Sequence, residues 1–121
     1  MSAHSHYIQL ELPMPPSVNH YWGIRGKQRF LGKRGKEFRL AVAEACADAE
    51  VQAIDGRLSV HVALFPANRI RFDIDNRIKS LLDALEHAGC FVDDEQIDEL
   101  HVIRQGLKPG GSCTVIILPI T

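Results

Sequence analysis

Between Arg71 and Gln96 the chain reads RFDIDNRIKSLLDALEHAGCFVDDEQ, which gathers Asp73, Asp75, Asp83, Asp93, Asp94 and Lys79 into one short stretch. Like charges held close together oppose folding unless something neutralises them. Hard oxygen ligands of this kind suit Mg2+, which is usually held by one or two carboxylates and keeps waters for phosphate groups. A cation so held activates water and stabilises the charge that develops when a phosphodiester is displaced in line. A lysine nearby adds positive charge for the nonbridging oxygens. Residues i and i+2 of a strand face the same side, so Asp73 and Asp75 converge on one cation if the chain is extended there. On a following helix Lys79 lies only about 40° around the axis from Asp75, four residues back. Both are off the apolar stripe of Ile78, Leu81, Leu82 and Leu85. Asp93 and Asp94 come past the end of that helix and join the group only if the fold returns them.

Two other readings compete. An EF-hand loop starting at Asp73 fails, because Arg77 replaces a ligand, Ile78 the turn glycine and Ala84 the required glutamate. The second is a helix capped by one of the aspartates, with the other acids, Asp83 and Glu86 among them, solvated on its outer face. The motif alone leaves that alternative open.

The elements that must position these residues are legible from periodicity and breakers. Ile8, Leu10 and Leu12 alternate with polar residues as in a half-buried strand, which ends at PMPPS. VNHYWGIRGKQRFLGKRG carries four glycines among cations and aromatics and reads as a mobile basic loop over residues 20–34. From Gly35, Phe38, Val42 and Cys46 recur at helical spacing. RLSVHVALF predicts a second strand, and the stripe from Ile78 to Leu85 a second helix closed by Gly89. A strand is expected through His101–Arg104, then a hairpin at KPGGS, then an apolar central strand in CTVIILPI. The order β–loop–α–β–α–β–β predicts an α/β domain with a mixed sheet of about four strands covered by two helices. One domain over residues 1–121 is expected, with residues 1–6 a disordered tail.

Charge is distributed unevenly. Arg25, Lys27, Arg29, Lys33, Arg34, Lys36 and Arg39 face one acid, Glu37, whereas Asp73–Glu99 holds nine acids against Arg77 and Lys79, a net −7. A basic and an acidic segment on one small chain suit a metal-dependent enzyme acting on a polyanion, although two solvated faces would look the same. Cys46, Cys90 and Cys113 form no CxxC pair, which argues against zinc and a disulfide framework and favours a reducing compartment. No secretory signal and no run of about 20 apolar residues is visible, so a cytoplasmic protein with no membrane partner is expected.

The stretch D-I-D-N-x-x-K-x-x-x-D-A-L, then G-C-F-V-D-D-E-Q-I, resembles the signature of the RusA family of Holliday junction resolvases. LPMPPSVNHYW before a basic, glycine-rich segment resembles the same family's opening, so the likeness spans Ile8 to about Leu118. The resemblance implies a homodimeric, Mg2+-dependent endonuclease, with Mn2+ as a substitute. It would cut four-way DNA junctions by paired symmetric incisions in recombination and repair. It further implies that Asp73, Asp75 and Asp94 hold the metal, that Lys79 is the catalytic lysine, and that Asp93 steadies Asp94 while Asn76 orients a ligand carboxylate. Arg25, Lys27, Arg29, Lys33, Arg34 and Lys36 are expected on DNA phosphates, with Arg69 and Arg71 beside the site. The segment before Asp73 departs from the family, being RIRF rather than strongly basic. Phe72 is read as core in preference to a wedge between bases. Tyr21 and Trp22 either stack on unpaired bases or are buried. A metal nuclease for flaps or plain duplex, and a non-catalytic DNA-binding module, are the alternative functions.

Overall fold

A computed structural model describes residues 6–121. The tail expected over 1–6 therefore lies, except for His6, outside the described residues. In chain order the elements are β1 (Ile8–Leu12), α1 (Val18–Tyr21), β2 (Trp22–Arg25), β3 (Gln28–Leu31), α2 (Lys33–Asp48), β4 (Leu58–Phe65), α3 (Asp75–His87), a 3-10 turn (Asp94–Gln96), β5 (Ile97–Arg104) and β6 (Ser112–Pro119). This is the expected mixed α/β architecture: a four-stranded sheet in the order β1-β6-β4-β5, with a second sheet of β2 and β3.

The sheet forms because its strands alternate. Ile8, Leu10 and Leu12 of β1, Leu58, Val60, Val62 and Leu64 of β4, and Cys113, Val115 and Ile117 of β6 are all buried. They share one core with Phe38, Val42 and Cys46 of α2 and Ile78, Leu81 and Leu85 of α3. Each such side chain contributes about 1.5–3 kcal/mol when fully withdrawn from water, so the two helices are held against one face of the sheet. β6 pairs antiparallel with both β1 and β4, which makes CTVIILPI an inner strand as expected. β4 and β5 are parallel, and the chain between them crosses through α3.

Three local expectations are corrected. Residues 20–34 are not a loop but the end of α1, a β2–β3 hairpin and the start of α2. The glycines there serve close approach. A Cβ on Gly23 would lie 2.4 Å from the ring of its cross-strand partner Phe30, and one on Gly35 would lie 2.2 Å from the Tyr21 carbonyl oxygen. KPGGS does not join paired strands, because β5 and β6 lie on opposite sides of β4. The connection instead crosses the end of β4, where Gln105 N donates to Leu64 O at 2.8 Å and Lys108 N to Pro66 O at 2.9 Å. Finally, β5 begins at Ile97, earlier than its sequence suggests, since an exposed edge strand needs no apolar alternation.

Candidate active site

The carboxyl-terminal end of β4 leads through residues 66–74 into α3, whose amphipathic stripe fixes which residues face outward. Asp73 and Asp75 do not share a strand. Ile74 is already helical (φ −64°, ψ −35°), and Asn76 N donates to Asp73 O at 3.2 Å. Nor does a carboxylate cap the helix, because Ile74 is the N-cap and no side chain bonds the first turn. Both aspartates are exposed, and Asp75 lies where the positive end of the helix favours an acid. Asn76 is half-buried in the same turn.

After α3 the chain doubles back, and a tightly bonded turn presents Asp94. Asp93 caps this turn by accepting from Glu95 N at 2.9 Å, and the Gln96 side-chain oxygen accepts from Asp93 N at 3.1 Å. The Gln96 amide donates to Ile54 O and Gly56 O, while Arg57 grips Glu95 and Asp98. Asp94 N donates to Glu86 at 2.9 Å, and Lys79 Nζ lies 3.5 Å from Asp94 Oδ2. Lys79 and Asp75 line one hollow of about 330 Å3 with Ile78, Leu82 and Leu100. Asp75 and Lys79 thus share the outer face of α3, and Lys79 reaches from it to Asp94 in the following turn.

Glu86 enters where it was not expected. Glu86, Asp93 and Asp94 each offer a carboxylate oxygen within 4.8 Å of the others, a donor set of hard oxygens that fits a divalent cation. Asp73 and Asp75 are not in that group. Asp73 instead lines a separate cleft with Arg69, Arg71 and Arg104. Phe72 packs against the core between the guanidinium groups of Arg77 and Arg104, at 5.0 and 4.3 Å from its ring centre.

Asp83 is not the solvated residue expected. It accepts from the Tyr21 hydroxyl and, at 2.8 Å, from Arg39, which also donates to the Tyr21 oxygen at 2.8 Å. Burial disfavours the Asp83 carboxylate, but these bonds outweigh it and hold the carboxyl below its usual range. Burial and the Asp83 acceptor push the Tyr21 phenol far up. Tyr21 is fully buried, which excludes base stacking for it, whereas Trp22 is half-buried beneath Arg29 at 4.1 Å. This triad joins α1, α2 and α3. Its only sequence signal was the position of Asp83 at the flank of the apolar stripe; nothing local marked Tyr21 as its partner.

The cations form two groups. Arg25, Lys27 and Arg29 are exposed on the hairpin, and Lys33, Arg34 and Lys36 are exposed in the first turns of α2. That helix start has neither an acid nor a side-chain cap, so its dipole and its cations carry the same sign. Arg69 and Arg71 are exposed in the cleft beside Asp73.

Residues 13–115 match the sequence model of the family described as "Endodeoxyribonuclease RusA". The chain belongs to the RusA family. It is 39% identical over 104 residues to the crossover junction endodeoxyribonuclease of Enterobacteria phage HK97, covering 85% of this chain and 87% of that protein. Over 96 residues it is 35% identical to the enzyme of that name from Aquifex aeolicus, covering 78% and 75% of the two chains. With that of Escherichia coli K12 it shares 28% over 109 residues, covering 89% and 91%. The segment matched to the RusA family includes the hairpin, α2, α3 and the turn carrying Asp94. No helix among the described residues is long and apolar enough to cross a membrane.

Proposed function

We propose that this RusA-family chain is a structure-selective endodeoxyribonuclease that resolves four-way DNA junctions. It would act as one catalytic domain per subunit of a cytoplasmic homodimer, in recombination and repair. The observation that carries this reading is the approach of Lys79 to Asp94, 3.5 Å apart although 15 residues separate them, on the helix face that also bears Asp75. Relatives covering most of the chain bear the name crossover junction endodeoxyribonuclease, and their substrate is carried over as part of the proposal.

Asp73, Asp75 and Asp94 would hold Mg2+, with Mn2+ as a substitute; when bound, the ion supplies an activated water and offsets charge on the phosphate. Lys79 then directs its ammonium toward the nonbridging oxygens, and its contact with Asp94 keeps it on the site's side of α3. Asp93, bonded within its turn, would steady Asp94, and Asn76, in the first turn of α3, would orient a ligand carboxylate. Arg25, Lys27, Arg29, Lys33, Arg34 and Lys36 contact phosphates, which sets affinity and orientation but carries little base information. A two-fold dimer presents two equivalent sites to a substrate that has two opposed strands to cut.

A second reading puts the cation on Glu86, Asp93 and Asp94, favoured by their mutual 4.8 Å approach. Asp73→Asn and Glu86→Gln separate the two: the first reading expects the Mg2+ requirement to rise sharply only in Asp73→Asn. The substrate is tested by cutting a four-way junction, a flap and a linear duplex at equal concentration. Preferential, paired nicking of the junction is expected; equal cutting of all three would replace the junction with DNA in general, and no cutting would leave a binding module.

A further inference from the structure

A second concavity lies apart from the hollow beside Lys79. It is a cleft of about 930 Å3 between residues 66–73 and the turn after β5, lined by Arg69, Arg71, Asp73 and Arg104. The parallel strands β4 and β5 both end there, Phe65 and Arg104 being their last residues. In sheets with parallel strands and a helical crossover, ligands bind outside the carboxyl ends of the strands, where the loops diverge.

The charges in this cleft are unspent. Among the described residues the ion pairs involve Arg39, Arg57, Lys79 and His101, and none involves Arg69, Arg71 or Arg104. Three guanidinium groups thus converge on a cavity with a single carboxylate, Asp73, at its edge. Arg104 is also held in place: it donates to Phe72 O at 2.8 Å and stacks on the Phe72 ring at 4.3 Å. A guanidinium fixed on one side by a backbone carbonyl and an aromatic face has lost its rotamer entropy beforehand, and its remaining N–H groups match a phosphate. The rim is apolar as well as cationic, since Ile70 is 73% and Leu107 51% exposed. A cleft of this size falls among pockets of about 300–1,000 Å3 that hold a small ligand, which suits a few nucleotides of one strand.

We infer that this cleft binds a single phosphodiester strand, unpaired at the branch point, and feeds it past Asp73, with Arg104 as its anchoring phosphate contact. The inference rests on the nuclease reading above and adds a second nucleic-acid surface, distinct from the hairpin and the start of α2. Arg69 and Arg71 lie on the same strand path, and Ile70 and Leu107 pack against its exposed bases or sugars.

The test is equilibrium binding of the full chain to a four-way junction, a single-strand flap and a linear duplex across a salt series, in Ca2+ to hold back cutting. For Arg104→Gln we expect about tenfold weaker binding to junction and flap, little change for duplex, and a salt slope lower by about one phosphate contact. Arg104→Lys should keep the salt slope and recover part of the affinity, which separates a phosphate contact from a merely structural loss of the Phe72 stack. Ile70→Ser, which removes no charge, should weaken flap binding without changing the slope. Arg104→Gln binding all three substrates as the unaltered chain does would overturn the cleft, as would an equal loss on all three. Failure of the unaltered chain to prefer branched DNA would instead remove the junction-selective reading on which the inference stands.

Discussion

Among the described residues, side chains of α3 make two acid–cation contacts, and these are built differently. Asp83 is locked by Tyr21 and Arg39 between three helices, with its side chain 29% and that of Arg39 24% exposed. Asp94 meets Lys79 in one long contact of 3.5 Å, and the Lys79 side chain is 67% exposed. In the first, the hydrogen-bonding capacity of the carboxylate is used within the fold, and its charge serves stability. In the second, the backbone around Asp94 is tied down by Glu86 and the Asp93 cap while the side chain remains lightly held. A rigid mount with an under-used carboxylate is what a site needs if its own partner is to come from outside.

Substitutions on the two contacts should therefore separate activity from stability. Lys79→Ala should lower junction cleavage by about 100-fold or more, the scale of a lost electrostatic contact to a transition state. Its thermal midpoint should stay within a degree or two, because the residue is off the core; a drop of many degrees would place Lys79 in the structural class. Asp83→Ala should do the reverse. Removing the carboxylate that accepts from both Arg39 and the Tyr21 hydroxyl should cost about 1–3 kcal/mol, less than for a fully buried pair because water reaches both Arg39 and Asp83. Calorimetry would read this as a midpoint several degrees lower, with cleavage per folded molecule nearly unchanged.

The same contrast has a pH signature. The Asp83 carboxyl titrates lower in the folded chain than in the unfolded one, so its contribution is fully present above about pH 4, the unfolded value, and is lost as pH falls through the folded one. The stability gap between the unaltered chain and Asp83→Asn should accordingly narrow in acid below about pH 4. A gap that stays constant there would show that the triad gains nothing from the charge of Asp83. The smallest effect is expected for Glu86→Gln, which keeps an oxygen to accept from Asp94 N. Cleavage should fall by a few-fold at most, and a loss as large as that of Lys79→Ala would move the cation to the Glu86 set.

Much of this arrangement was readable from residue order, and the omissions have physical causes. The buried stripe of α3 announced itself in Ile78, Leu81 and Leu85, and with it the outward placement of Asp75 and Lys79. The hairpin did not, because Gly23 and Gly35 look like loop residues when they are sites where a ring or a carbonyl presses against the backbone. The edge strand β5 hid because only Ile97 and Val102 of its eight residues are even half-covered. KPGGS suggested a hairpin because turn chemistry reports a local reversal and not which strands then pair. Likewise, residue order alone leaves Asp83 on a solvated face, because its partners lie 62 and 44 residues away. Long-range pairing of polar groups leaves no periodicity to read.

We propose a division of labour in which Asp73, Asp75 and Asp94 serve cutting while the cations of the hairpin and of α2 serve holding. Its most direct test is junction cleavage by Asp75→Asn in Mg2+, read beside junction binding by the same protein. Cleavage lost by at least about 100-fold, with binding retained or tightened as a carboxylate near phosphate is neutralised, is the expected result. Undiminished cleavage by the folded variant would show that Asp75 has no part in cutting.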